Sequence, residues 1–247
     1  MEASGPAFTI PQQDAFIPTI KIIGAGGGGG NVVSKMADEG IQHVELIACN
    51  TDLKALNSSN ATIKMELGRE LTRGLGAGAR PEIGAHAAEE SAAEIEQMLN
   101  GADMAFIVAG MGGGTGTGSA PVIARISKSK KILTVGVVTL PFSFEGKRRM
   151  RAALQGVATL RENTDTLLVI PNERLLEATD RSTSFKDAFH MVDEVLVHAI
   201  QGITDLLNGV GDINVDFADM QTVMEGMGRA VIGLSLIHIS EPTRPLH

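Results

Sequence analysis

Two stretches of the chain concentrate glycine where backbone amides can act as ligands. Gly24-Ala-Gly-Gly-Gly-Gly-Gly30 holds six glycines in seven residues, and Gly110-Met-Gly-Gly-Gly-Thr-Gly-Thr-Gly118 holds six in nine. Glycine admits positive φ and lets N–H groups come close to the oxygens of an anion. A helix opening directly after such a run adds the positive end of its dipole. The chemistry on offer is the holding of phosphate. In the second run Thr115 and Thr117 add hydroxyl donors among the freed amides. A bare strand-to-helix turn needs fewer glycines than the first run carries.

The first run contains the letters G-x-G-x-x-G, a dinucleotide fingerprint of modest specificity. On that run alone an NAD enzyme is an open reading, with Asp52 as the ribose partner. Its spacing, 28 residues after Gly24, is looser than the usual ~20. A Walker-type loop is excluded, because no G-K-[ST] tripeptide occurs. Two runs, each following a strand and opening a helix, suit a polyphosphate held from both sides. No Ser-His-Asp order, carboxylate pair or metal-ligand histidine spacing accompanies them, and His190 and His198 read as ordinary side chains of a long helix. Missing from this half is a group that orients an attacking water, which phosphoryl transfer requires.

The elements that must position these runs follow from the hydrophobic pattern. Short apolar segments at 19–23, 44–48, 104–109, 132–138 and 166–170 read as buried strands. Residues 31–40 and 84–100 read as helices, and Pro121 suits the first turn of another. Strand, glycine run, helix and strand form a βαβ unit with parallel strands. From 184 to 208 apolar residues recur at Phe185, Phe189, Val192, Leu196, Ile200, Ile203 and Leu207, the spacing of a long helix buried along most of its length. The fold class expected is α/β, a Rossmann-like, mainly parallel sheet with helices on both faces, followed by a long central helix. Residues 1–18, with three prolines, read as a flexible arm.

Composition bounds the function. The chain has 247 residues, enough for one domain or one plus the start of another. A net charge of −8 argues against a general nucleic-acid partner. Cys49 is the single cysteine, so there is no disulfide framework or thiolate metal cluster, and a reducing cytoplasm fits. No signal pattern and no apolar run of membrane-spanning length occurs.

Gly112-Gly-Gly-Thr-Gly-Thr-Gly118 resembles the G-G-G-T-G-[ST]-G signature of the tubulin/FtsZ superfamily, and the likeness runs from about Thr19 to Gly233. It is strongest to the branch that serves cell division. The resemblance implies a domain at 19–183 that binds GTP or GDP, with Mg2+ held through phosphates and water and no direct side-chain ligand. Gly110, Met111, Gly112, Gly113, Gly114, Thr115, Gly116, Thr117 and Gly118 would hold phosphate. The first run implies phosphate and guanine contacts from Gly27, Gly28 and Asn31. Asn50 and Asp52 would lie near the phosphates, and Gly76, Ala77 and Gly78 belong to a loop (71–78) that senses the γ-phosphate. Pro141, Glu145 and Arg149 would face the ribose. Asn172 and Asp193 would read guanine, with Phe189 stacked on the base.

A carboxylate at Asp193 can accept from guanine N1–H and N2–H2, a donor pair adenine lacks. Leaving that acceptor unpaired costs ~1–3 kcal/mol. Without the resemblance, Asp193 reads as a solvated helix position, Phe189 as core, and Lys147, Arg148, Arg149 and Arg151 as a solvated basic stretch.

Beyond the helix at 184–209, residues 210–233 contain Asn214-Val-Asp-Phe-Ala-Asp219, which resembles the family's catalytic loop. Asn214, Asp216 and Asp219 of one subunit would then polarise water against the γ-phosphate of the next. For Asp219 a cap before a helix at 220–227 is the alternative. The resemblance further implies a head-to-tail homopolymer in the cytoplasm at the division site. Membrane contact would be indirect, through tethering proteins. After Gly233 the likeness stops. Residues 234–247 read as a non-native tail, with a second domain missing.

Overall fold

The computed structural model describes residues 17–176, 184–207 and 217–225. The first half alternates β1 (Ile20–Ala25), α1 (Gly26–Asp38), β2 (Val44–Asn50), α2 (Leu53–Asn57) and β3 (Ile63–Glu66). Three helices follow, α3 (Arg69–Thr72), α4 (Pro81–Glu90) and α5 (Ala92–Met98). Then come β4 (Met104–Gly110), α6 (Thr115–Ser129) and β5 (Leu133–Leu140). A 3-10 turn, Ser143–Glu145, leads into α7 (Lys147–Glu162), β6 (Thr166–Pro171) and α8 (Asn172–Leu176). The long helix α9 is Phe185–Leu207, and α10 is Phe217–Glu225.

The six strands form one sheet in the order β3-β2-β1-β4-β5-β6, all parallel. Side chains alternate between its faces, so Ile22, Phe106 and Val135 join one core and Ile23, Ile107 and Val138 the other. The first core is closed by α1 and α9 through Val33, Met36, Leu196 and Ile200. The second is closed by α4, α5, α6 and α7 through Ala87, Ile95, Ile123 and Leu160. Helices on both faces of a parallel sheet are what the alternation of elements predicts, because strands buried on both sides read as near-continuous apolar runs.

Three local expectations need revision. The segment 84–100 is two helices, broken at Ser91, whose hydroxyl accepts the Gly68 N–H at 3.0 Å. Most of the first glycine run is the opening turns of α1, which starts at Gly26 itself. The strand β3 (Ile-Lys-Met-Glu) went unread, since a short edge strand with exposed Ile63 and Lys64 leaves little apolar signal.

The strand order reverses between β1 and β4. Ligands of open α/β sheets bind at such a switch point, outside the carboxyl ends of the strands. Both glycine runs leave the sheet there, after β1 and after β4. None of the described helices is long and apolar enough to cross a membrane. Residues 1–16 of the arm at 1–18 and the tail at 234–247 lie outside the described residues, as do Asn214 and Asp216.

Candidate nucleotide site

The two glycine runs touch backbone to backbone. Gly26 takes a φ of +72° at the turn from β1 into α1, and a Cβ there would meet the Gly116 nitrogen at 2.6 Å. A Cβ on Gly28 would lie 3.2 Å from the Gly110 nitrogen. Such spacing brings the N-terminal ends of α1 and α6 side by side, each with first-turn amides that lack an intrahelical partner. Gly27 is exposed, and a Cβ there would meet nothing within 4 Å, so the space beside it is open to a ligand.

Within the second run not every donor is free. The Met111 N–H donates to the Thr139 carbonyl at 3.0 Å, and the Gly112 N–H to Thr117 Oγ1 at 2.8 Å. Thr117 is buried, and its hydroxyl braces the run from inside. Gly112 itself has φ +102°, with Arg149 side-chain and backbone atoms where a Cβ would stand. The loop 71–79 closes over this run. Arg73, Gly74, Gly76, Gly78 and Ala79 all take left-handed backbone angles. A Cβ on Gly114 would lie 2.9 Å from both Ala77 Cβ and the Arg80 nitrogen. Gly76, Ala77 and Gly78 are thereby held beside the second run.

Beside the runs a cleft opens between the carboxyl edge of the sheet and the start of α9. Its lining gathers Gly28, Asn31, Gly110, Met111, Pro141, Glu145, Arg149, Asn172, Phe189 and Asp193, ten of the residues expected at the site. These residues come from five separate parts of the chain. Asn172 is buried, and its side-chain oxygen has no hydrogen-bond partner. A buried acceptor left unpaired is rare and costly, so this oxygen points to a donor from outside the chain.

Asp193 sits in the same wall, and burial pushes its carboxyl from 3.8 up to about 6, against the pull of His190 and Lys35. Phe189 is 43% exposed, although one turn of an apolar stripe reads as core. Its ring meets that of the fully buried Phe142 edge-on at 5.2 Å. Glu145 accepts the Phe142 N–H at 2.8 Å and pairs with Arg149 Nε at 3.0 Å. The far wall of the cleft is thus a braced carboxylate and a half-exposed guanidinium.

Asn50 and Gly27 line a second, smaller depression on the other side of the opening turn of α1, with Asn31 common to both. Asp52 caps α2 by accepting the Ala55 N–H at 3.1 Å. Sequence reasoning missed Thr139, Val192 and Leu196 in the cleft wall. Val192 and Leu196 were legible only as members of a helical core stripe. Asp219 does not cap α10; it stands within its first turn and is exposed.

A doubly wound parallel sheet with two glycine-run helix starts at its switch point defines a nucleotide-binding α/β domain. Residues 19–180 match the tubulin/FtsZ family, GTPase domain, and the chain belongs to that family. Among solved structures, an empty FtsZ dimer from M. jannaschii is 48% identical with a TM-score of 0.84, over 88% of this chain and 63% of that one. A single-substitution mutant of the M. jannaschii FtsZ is 49% identical, TM-score 0.84, over 87% and 64%. CetZ1 from Haloferax volcanii, a GDP-bound monomer, is 27% identical, TM-score 0.72, over 85% and 65%. The chain spans a little under two thirds of the length of each.

Proposed function

We propose that this chain binds GTP in the cleft and hydrolyses it on self-association, as a filament-forming protein of cell division. The observation that carries the nucleotide is the buried, partnerless oxygen of Asn172 in one wall with the Asp193 carboxyl. Together they offer acceptors to the donor edge of guanine, N1–H and N2–H2, while adenine presents an acceptor at its N1. Phe189, braced by Phe142, offers a ring face to the base. Glu145 and Arg149 meet the ribose side, and Asn31 reaches the base from α1. Phosphates then fall on those amides between Gly110 and Gly118 that remain open, and on Gly27 and Gly28. Asn50, Asp52 and residues 76–78 close the phosphate end. A Mg2+ ion would be held through phosphate oxygens and water, with no side chain as a direct ligand. The GDP carried by the related CetZ1 supports this reading.

Hydrolysis moves a water oxygen onto the γ-phosphorus and releases GDP and phosphate. Of the carboxylates in the cleft, Glu145 is paired with Arg149 and Asp193 faces the base. Neither is left to orient water. The acids Asp216 and Asp219, with Asn214 beside them, come from a second copy and enter the phosphate end of its neighbour's site. What supports this is the position of α10. The Thr166 hydroxyl, at the first residue of β6, donates to the Met224 carbonyl at 2.9 Å, whereas Asn172 follows the last. A six-residue strand separates them by about 20 Å, so α10 lies away from its own cleft. The contact is heterologous and propagates head to tail. Such a filament serves the division site from the cytoplasm, reaches the membrane only through tethering proteins, and has no nucleic-acid partner.

Competition binding with GTP, GDP, ATP and NAD tests the cleft. GTP and GDP should bind on the order of 100-fold more tightly than ATP or NAD. Asp193→Ala should weaken GTP by roughly 10- to 100-fold with little effect on ATP. Equal affinity for ATP would overturn the guanine assignment, and tight NAD binding would restore the dehydrogenase.

A further inference from the structure

Between Asn50 and Asp52 stands Thr51, which is fully buried. Its hydroxyl oxygen lies 2.6 Å from that of Thr115, the first residue of α6. Its carbonyl accepts the Gly76 N–H at 3.0 Å and the Thr72 hydroxyl at 3.3 Å. One residue at the carboxyl end of β2 is therefore tied to the second glycine run by its side chain and to the loop 71–79 by its backbone.

The direction of the hydroxyl pair follows from proton accounting. Each hydroxyl has one hydrogen and two lone pairs. If Thr115 donated, the Thr51 hydrogen would be left in a buried place with no acceptor, which is costly. With Thr51 donating, Thr51 is satisfied and Thr115, which is partly exposed, keeps its own hydrogen for a partner on its open side. Thr117 cannot substitute, because it is buried behind the run, where its hydroxyl accepts the Gly112 N–H.

We infer that Thr51 is a positioning residue of the nucleotide site: its hydroxyl donates to Thr115 Oγ1 and so turns the Thr115 proton toward a bound phosphate oxygen. This rests on the reading of the cleft as a guanine-nucleotide site. Thr115 then gives a charge-assisted hydrogen bond whose direction is set before the ligand arrives. The loop 71–79, hung on the carbonyl of the same residue, is held in register with it.

The test is GTP and GDP binding by the full chain carrying Thr51→Val, Thr51→Ser, Thr115→Val and the double substitution Thr51→Val/Thr115→Val. Thr51→Val should raise both dissociation constants about tenfold, while Thr51→Ser stays within about threefold of the parent. The double variant should bind no more weakly than Thr115→Val alone, because Thr51 acts through Thr115. Should Thr51→Val fail to fold, Thr51→Ser and Thr51→Cys lose the same methyl and differ in donor strength. Cysteine should then bind distinctly more weakly than serine. Thr51→Val binding like the parent, serine and cysteine binding alike, or losses that multiply in the double variant would each overturn the inference. A parent chain that binds neither GTP nor GDP sinks the underlying reading instead.

Discussion

Burial of the Asp193 carboxyl, which lifts it from 3.8 to about 6, has opposite consequences for the empty and the occupied cleft. In the empty fold the group keeps a proton that the unfolded chain releases between those values. Its contribution to stability is present below pH 3.8 and is lost as pH rises through 6. Guanine donors require the ionised carboxylate, so binding expels that proton. Affinity for GDP should therefore climb between pH 5 and about 6, approaching tenfold per unit at the acid end, and level off above. Titrations across pH 5.0 to 7.5 check this, and Asp193→Asn should remove the slope while leaving His190 in place. A flat profile in the parent chain would count against a guanine-facing Asp193. By itself the sequence offered Asp193 as a solvated helix position and Phe189 as core. Burial of the one and exposure of the other reflect the cleft beside the start of α9, which helical periodicity does not encode.

The elements divide between those written in local pattern and those settled by contact. The helix at 184–208 was legible from apolar spacing, and α9 is Phe185–Leu207. Its first residues depart from the stripe, Phe185 being 68% exposed. Below them Val192, Leu196 and Ile200 are buried in the core shared with α1. Ile200→Ala should cost about 2–5 kcal/mol in denaturant unfolding, because a fully buried side chain leaves a cavity. Lys35→Ala should cost about 1 kcal/mol or less, since its 2.8 Å pair with the exposed Glu194 is largely solvated. A similar cost for the two would mean that α9 is held by its ion pair and not by its packing. The opening of α1 shows the reverse situation. Glycine disfavours a helix interior by about 1 kcal/mol per residue relative to alanine, yet Gly26 to Gly30 are helical. Side chains at Gly26 or Gly28 would collide with the second run, so close approach outweighs propensity there.

At the scale of the whole molecule the sheet has two poles. The cleft lies at the carboxyl ends of the strands, and α10, held to the first residue of β6, lies toward the other. The proposed shared site, divided between these poles, requires a second copy to complete it. GTP turnover per molecule should rise with protein concentration, and Asp216→Ala should keep GTP binding while losing turnover. At a GTP concentration that fills the parent cleft but not the weakened Asp193→Ala cleft, an equimolar mixture of Asp216→Ala and Asp193→Ala should regain turnover that neither variant shows alone. In that mixture an intact cleft on one variant meets an intact acid loop on the other. Turnover independent of concentration, or a mixture as silent as its components, refutes the shared site.

The sequence by itself determined the strand–helix alternation and the two glycine runs that open helices. Those depend on short-range pattern: apolar runs, period and the φ freedom of glycine. The family followed from the spacing of one nine-residue segment. Only the tertiary structure decided which of those donors remain open, with Thr117 turned inward and Gly112 spent on it. It also decided that Asn172 holds a buried oxygen with no partner, and that Thr51, passed over between two expected ligands, touches Thr115. Hydrogen bonds between residues 64 positions apart and the desolvation of a side chain depend on which segments pack together. A linear pattern carries no such information until the sheet has brought those segments to one edge.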